Sequence, residues 1–212
     1  MPLRTECPRC PTPLRGDAGA CPDHGPTPVL LRPDEASYDG FVEALSAAGD
    51  LPTYLPWPMS PGWSVTDFAV VPHPAQGSRA HATMTCSSGT SALDGPVDVF
   101  VVTEESGTGL GARCAGTSHL DPGPEIGSGP PMVKVRIGTL SVPLWPVSTV
   151  SADDRELDRS VVAGEALGRW LWIVMRPASA MLLLRDEWIL RDVSGIGPPL
   201  VEMPFGGPAP VW

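Results

Sequence analysis

The sequence contains no long apolar run. The longest unbroken stretch, Trp170 to Met175, has six residues, whereas a membrane-spanning helix needs roughly 20. The first residues of the chain likewise hold no apolar stretch of signal-peptide length. We therefore expect a cytoplasmic protein that does not insert into a membrane.

Lysine is also scarce. Lys134 is the single lysine among 14 basic residues, and 24 acidic residues give a formal net charge of −10. Proteins bind nucleic acid largely by neutralising phosphates with lysine and arginine. An acidic chain is poorly suited to that role, so we expect the partner to be a protein or a small molecule, whose identity the sequence does not give.

The sequence also lacks the even, distributed cysteines of a secreted disulfide scaffold. It has five, and three of them lie within the first 21 residues. Glycine and proline are abundant, at 23 and 27 residues, while 42% of the residues are hydrophobic. These values predict reduced or metal-bound thiols and a folded protein of short elements joined by rigid loops.

The N-terminal cysteines form a pattern typical of a metal site. Cys7 and Cys10 make a C-x2-C pair, and Cys21 and His24 make a C-x2-H pair ten residues later. Three thiolates and one imidazole suit tetrahedral Zn²⁺ and match iron less well, the alternative being unpaired thiols in a mobile tail. Four protein ligands close the site, so we expect structural zinc in a ribbon spanning residues 1–26, too small to fold without metal.

A linker with one short helix follows over residues 27–51. The sequence predicts the helix from Asp34, as N-cap, to Ala48, with Gly49 ending it. Residues 52–62 carry four prolines interleaved with apolar side chains, which excludes a helix and predicts an extended strap.

Short apolar segments bounded by glycine or proline occupy the rest of the chain, and they are typical of an antiparallel sheet. The predicted strands are Val65–Val71, Ala80–Cys86, Val97–Thr103, Met132–Ile137, Leu140–Val147 and Trp170–Val174, followed by a hairpin of Met181–Leu184 and Trp188–Val193. We therefore predict an α+β protein: a small N-terminal zinc ribbon, then a β-rich domain over residues 52–212 with mainly antiparallel strands and one or two short helices.

Several motifs together resemble an uncharacterised family of actinobacterial proteins, in which an N-terminal zinc ribbon precedes a domain of unknown function. They are Cys7-Pro8-Arg9-Cys10, His24-Gly25, Leu55-Pro56-Trp57-Pro58 with Gly62-Trp63, Glu104-Glu105, Gly109-Leu110-Gly111-Ala112-Arg113, Asp121-Pro122-Gly123-Pro124, Gly164-Glu165-Ala166-Leu167-Gly168 with Trp170-Leu171-Trp172, and Pro204-Phe205-Gly206. Pro11 departs from the glycine that commonly follows the second cysteine of such ribbons, but it removes no ligand. The resemblance implies an architecture and a host, and no activity.

The densest polar region is the glycine-rich loop from Glu104 to Asp121. Its G-x-G-x-G spacing, with no following Lys-Ser/Thr and no convincing helix, excludes a P-loop and a dinucleotide fingerprint. If Glu104, Arg113, Cys114 and His119 converge in one pocket, the protein is an enzyme, either an acyl or phosphoryl transferase or a hydrolase. Otherwise the cysteine is an inert buried residue.

Tryptophan is the most frequent aromatic residue, with seven copies. Trp170 and Trp172 lie two apart on a predicted strand and therefore share a face. We predict that the strap packs on that strand and that Trp57 or Trp63 lines a ligand groove beside it, the alternative being that these rings fill the core. The leading functional prediction is a zinc-containing binding or scaffolding protein that is not an enzyme.

Overall fold

The computed structural model describes residues 3–14, 19–75, 79–149, 158–184 and 188–212. Within these ranges the helices are α1 (Tyr38–Ala48) and α2 (Leu110–Ala115), with 3-10 helices at Ala178–Leu183 and Pro198–Glu202. The strands are β1 (Arg4–Cys7), β2 (Cys10–Pro13), β3 (Ala20–Cys21), β4 (Gly25–Pro26), β5 (Leu30–Arg32), β6 (Tyr54–Pro56), β7 (Ser64–Val71), β8 (Ala82–Ser91), β9 (Gly95–Glu104), β10 (Val133–Ile137), β11 (Leu140–Pro146), β12 (Ser160–Ala166), β13 (Arg169–Arg176) and β14 (Trp188–Asp192). None of the described helices has the length and hydropathy required to cross a membrane.

Twelve of these strands form one sheet in the order β2-β1-β5-β7-β8-β9-β13-β12-β11-β10-β14-β6. Neighbouring strands run antiparallel except β10 and β14, which are parallel. Strands β3 and β4 pair separately. The predicted α+β class with mainly antiparallel strands and few short helices is confirmed.

The centre of the sheet is buried on both faces. Along β13, Leu171 and Ile173 belong to one apolar cluster with residues of β10, β11 and β14. Trp172 and Val174 belong to a second cluster, which α2 covers. Because successive side chains of a strand point to opposite faces, the long sheet folds back over one side of β13 while α2 closes the other.

The proline strap is extended, as its composition predicts, and its central part forms β6 at the end of the sheet. Strand β6 pairs with β14, and Leu55 lies opposite Arg191. The hydroxyl groups of Thr83 and Thr85 donate hydrogen bonds to the carbonyl oxygens of Pro52 and Tyr54, at 2.8 and 2.6 Å. These bonds anchor the strap to β8.

Helix α1 begins three residues later than the sequence predicts. Ser37, rather than Asp34, is the N-cap, and its side chain accepts a hydrogen bond from the Gly40 amide. Asp34 instead pairs with Arg4 at 3.1 Å. The helix packs on β7 through Phe41, whose ring contacts Phe68 edge-on at 5.0 Å between centroids.

The predicted hairpin near residue 185 is wrong. Met181 lies in a 3-10 helix, not in a strand, and β14 pairs with β10 and β6 instead. A short apolar run fits a buried helical turn as well as a strand, so periodicity alone does not separate them. The expected turn at residues 185–187 lies outside the described residues.

The ribbon strands continue into the main sheet. Thr5 in β1 pairs with Leu31 in β5, which in turn pairs with Val70 in β7. Proline residues near position 26 therefore do not interrupt the sheet. The division into residues 1–26, 27–51 and 52–212 stays a prediction.

Candidate functional site

Two short β-hairpins carry the cysteine and histidine pairs. Cys7 ends β1 and lies opposite Cys10, the first residue of β2. Cys21 ends β3 and lies opposite Gly25, the first residue of β4, so His24 sits in the intervening turn. The positive φ of 67° at Gly25, which glycine adopts without strain, closes this second turn.

The four side chains meet at one point. The ligand atoms of Cys7, Cys10, Cys21 and His24 all lie within 4.8 Å of one another. The His24 Nδ1 atom is 3.6 Å from Cys7 Sγ and 3.4 Å from Cys21 Sγ, and the Cys10 and Cys21 sulfurs are 3.5 Å apart. Tetrahedral ligands with metal bonds of 2.0–2.3 Å lie about 3.5 Å apart, so this cluster can bind a metal ion.

Two of the thiols have shifted pKa values. Burial raises the pKa of Cys7 to about 11. At Cys10, burial raises the pKa, but hydrogen bonding with Thr12 and the neighbouring thiols outweighs it and lowers the pKa to about 7. A metal must displace the thiol protons, so metal affinity falls as the pH is lowered.

Arg9 holds the ribbon against the glycine-rich loop. Its guanidinium donates to the carbonyl oxygens of Gly107 and Thr108, at 2.9 and 3.4 Å. The loop that resembles a phosphate cradle in sequence therefore receives an arginine from the ribbon.

Arg113 makes the reciprocal contact from α2. Its Nη1 donates to the Cys7 carbonyl oxygen at 2.7 Å, and its Nη2 pairs with the Glu6 carboxylate at 2.6 Å. The Arg113 and Glu6 side chains are 3% and 8% exposed. Because both charges are withdrawn from water, they bind each other more strongly than an exposed pair.

The Trp212 indole packs between two arginines. The guanidinium carbons of Arg32 and Arg113 lie 4.3 and 4.2 Å from ring centroids, as in cation–π contacts. Its Nε1 donates to buried Asp67 at 2.7 Å, and Arg32 donates to the Pro210 carbonyl oxygen at 3.0 Å. Residues 210–212 therefore share Arg113 with the ribbon.

A cleft of about 1000 Å³ opens between the ribbon and the main sheet. Ribbon residues 19, 20 and 26 and the following residues 27–29 line one side, and the connection from β7 to β8 and residues 105–108 line the other. Much of its wall is proline, alanine, valine and leucine. A cavity of this size with apolar walls and a few polar groups matches the usual form of a small-molecule site.

The polar part of the cleft is built around Glu105. One carboxylate oxygen lies 2.9 Å from His81 Nδ1, and the other lies 3.1 Å from Arg169 Nη2. The His73 ring lies beside that of His81, with centroids 4.9 Å apart. Sequence reasoning missed this group because its members are far apart in the chain. Strand β8 pairs with β9 so that Ala82 lies opposite Glu104, and this pairing places His81 close to Glu105. The strand pairing is the signal from which the group could have been predicted.

A model of the family of unknown function DUF6758 matches residues 1–212 of the chain. The chain belongs to the DUF6758 family. No curated protein and no solved structure matches it. The actinobacterial origin implied by the resemblance stays a prediction.

In this DUF6758 chain the glycine-rich loop leads into a helix, contrary to the expectation from sequence. Helix α2 begins after Gly109, whose φ is 86°. Glu104 lies beneath it, fully buried, and its Oε2 accepts hydrogen bonds from the Leu110 and Gly111 amides at 2.8 and 3.2 Å. A side chain at Gly111 would collide with Trp172, so only glycine permits this close packing.

Burial dominates the ionisation of Glu104. It raises the pKa of this carboxyl to about 7, although the backbone amides of Gly111 and Leu110 favour the ionised form. The carboxyl caps a helix of the DUF6758 chain inside the protein, and it is not among the residues that line the four main cavities of the described part of the chain. We assign it a structural position.

The four catalytic candidates do not converge in one pocket. Arg113 is held by the ribbon, and Glu104 is covered by α2. Cys114 is 0% exposed, and burial raises the pKa of its thiol well above the ordinary value. His119 is exposed at the surface, and its described hydrogen bond is made by its backbone carbonyl oxygen. These four residues are close together in sequence, but the fold places their side chains in different surroundings.

The four tryptophans predicted to lie at a groove pack against three different apolar clusters of the DUF6758 chain. Trp172 is fully buried and Trp170 half-buried in the cluster beneath α2. Trp63 packs against the cluster on the other side of β13, and Trp57 against the cluster beneath α1. Side chains alternate along β13, so Leu171 and Trp172 lie on opposite faces of the strand. The strap packs on the face that carries Leu171. In the part of the chain that the structure describes, none of these four tryptophans lines the cleft between the ribbon and the main sheet.

Proposed function

We propose that this chain is a cytoplasmic, zinc-containing binding or scaffolding protein that is not an enzyme. Zinc bound by Cys7, Cys10, Cys21 and His24 would hold the ribbon in place as one wall of the cleft. The cleft would receive the ligand, either a small molecule or a segment of a partner protein. The observation that carries this proposal is that the ribbon both docks on the main sheet and lines the cavity.

The donor set supports zinc. A mixed set of three thiolates and one imidazole is typical of structural Zn²⁺ sites, and the five cysteines are free thiols, as in a reducing compartment. With all four positions filled by protein atoms, the ion has no open position for a substrate. Zinc would therefore stabilise the ribbon and take no part in chemistry.

The contacts of the ribbon support a role in forming the cleft. Arg9 and Arg113 fix its position by hydrogen bonds in opposite directions. Ala20 and Pro26, on strands β3 and β4, belong to both the ribbon and the cavity wall. Loss of the ribbon would remove that wall.

The neutral dye Nile red tests the cleft in zinc-loaded protein. Elemental analysis of the sample first measures the zinc content, which we expect to be about one per chain in protein purified without added metal. Ala20→Phe places a ring in the cleft and should weaken dye binding about tenfold. The control Ser141→Phe, at an exposed position of β11 outside the cleft lining, should leave it unchanged. A folded ribbon without metal would refute the zinc assignment, and equal dye binding in both variants would refute the cleft.

A further inference from the structure

Two histidines bring their imidazoles together in the wall of the cleft. His73 follows β7 and His81 precedes β8, and the His81 amide donates to the Val71 carbonyl oxygen at 2.8 Å. The two ring centroids are 4.9 Å apart, and the ring planes differ by 38°. Two imidazoles that share one metal ion, each bonded at 2.0–2.1 Å, lie about 5 Å apart between centroids.

His81 has the hydrogen bond that accompanies metal-binding histidines. Glu105 lies 2.9 Å from its Nδ1 atom, so the ring donates its Nδ1 proton to the carboxylate and keeps the Nε2 lone pair. Arg169 holds the other carboxylate oxygen, and the Glu105 amide donates to the His81 carbonyl oxygen at 2.8 Å. A carboxylate partner of this kind fixes the tautomer and the orientation of a ligating imidazole.

His73 needs one local change to act as a ligand. Its Nδ1 accepts an exposed hydrogen bond from the Ala75 amide at 3.1 Å. Coordination through Nε2 moves the proton to Nδ1, and this hydrogen bond is then replaced by one to water. An exposed hydrogen bond contributes little net free energy, so the change opposes binding only weakly.

The chemistry of the pair selects the class of metal. Imidazole nitrogens suit Zn²⁺, Ni²⁺ and Cu²⁺, whereas Mg²⁺ and Ca²⁺ prefer oxygen ligands. Among the described residues, the ribbon cluster is the only group in which three or more potential ligand atoms lie close enough together to hold one metal ion. A two-histidine site is therefore expected to bind metal more weakly than the ribbon site, and it leaves coordination positions for other donor atoms.

We infer that His73 and His81 form a second site, separate from the ribbon, for a divalent transition-metal ion, and that Glu105 is the positioning residue for His81. This inference goes beyond the proposed structural zinc and does not require it. An ion bound here lies where a ligand in the cleft can supply the remaining donor atoms.

Calorimetric titration with Ni²⁺ tests the inference on full-length protein without a histidine tag, after its ribbon has been saturated with zinc. We expect one equivalent of Ni²⁺ to bind while elemental analysis shows that zinc is retained. His81→Ala and His73→Ala should each abolish this binding at micromolar concentrations. Glu105→Gln should weaken it 10- to 100-fold, since that is the usual effect of losing a carboxylate partner.

The control is His119→Ala, an exposed histidine outside the pair, which should bind Ni²⁺ as the parent does. His73→Ala leaves the His81–Glu105 contact intact, so it keeps the test valid if His81→Ala fails to fold. Failure of the zinc-loaded protein to bind one equivalent of Ni²⁺, or unchanged Ni²⁺ binding in folded His73→Ala, would overturn the metal site. Unchanged affinity in Glu105→Gln would overturn the positioning role.

Discussion

The ribbon and the main sheet reach stability by different means. The buried apolar residues of the ribbon cluster are Cys7, Leu14 and Cys21, and its two cysteines belong to the group that can bind a metal ion. The main sheet has three larger clusters: two bury the opposite faces of β9 and β13, and the third packs α1 against β7. Apolar burial grows with size, so the ribbon buries far less apolar surface than the sheet, and a bound metal would supply what its small core lacks. The experiments below test whether the ribbon depends on metal while the sheet folds by hydrophobic burial.

The largest expected effect comes from removing a ribbon ligand. Cys21→Ser should abolish tight metal binding, whose free energy in structural zinc sites is on the order of 10 kcal/mol. Residues 3–14 and 19–29 should then exchange their amide hydrogens rapidly, while β9 and β13 stay protected. Hydrogen exchange with mass spectrometry and elemental analysis measure both outcomes, with His119→Ser as the control. Loss of protection in β9 and β13 as well would show that the sheet also depends on the metal.

A second experiment tests the stability of the main sheet, by changing its buried carboxyl group at Glu104. Its pKa is about 7 in the folded protein and about 4.3 when unfolded. The native state therefore binds more protons between these values, and its contribution to stability falls as the pH rises from about 4.3 to 7. Glu104→Gln stays neutral and should be more stable than the parent by about 4 kcal/mol at pH 8.

Urea unfolding at pH 5, 6, 7 and 8 measures this difference. The gap between Glu104→Gln and the parent should widen with pH and level off above pH 7. Cys114→Ala, which removes another buried titratable side chain near α2, is the control and should not alter the pH dependence in this range. Parallel curves for the parent and Glu104→Gln would contradict the assigned burial of the charge.

The smallest expected effect lies at the junction of the two regions. Arg113→Lys keeps the charge but cannot reproduce the fork that binds Cys7 and Glu6, so local opening of the ribbon should become easier by about 2 kcal/mol. Arg9→Lys, which loses bonds to two carbonyl oxygens, should cost about 1 kcal/mol. Exchange rates of amides in β1 and β2 measure both values. Equal acceleration in β13 would mean that the junction supports the whole sheet.

Local sequence patterns predicted the features of the fold that depend on neighbouring residues, such as the metal-binding group and individual strands. The paired cysteines predicted which four side chains meet. Short apolar segments bounded by glycine or proline predicted β7 and β9 within two residues, while β8 extends five residues beyond its predicted end. Helix α2 was missed because it is short and contains glycine, and its existence depends on Glu104 and on close packing against Trp172. The His81–Glu105 contact was missed because it requires knowing which strands pair.

The order of strands in the sheet has a consequence for the kinetics of folding. Strands β7, β8 and β9 pair with neighbours in sequence and can form as soon as they are synthesised. Strand β6, by contrast, can pair only after β14 has been synthesised. The contacts of buried Arg32 and Asp67 with Trp212 likewise form only after residue 212 has been synthesised. Contacts between distant segments slow folding toward roughly milliseconds to seconds. During translation the chain therefore carries an unpaired β6 until β14 emerges, and this interval is when it is most exposed to aggregation.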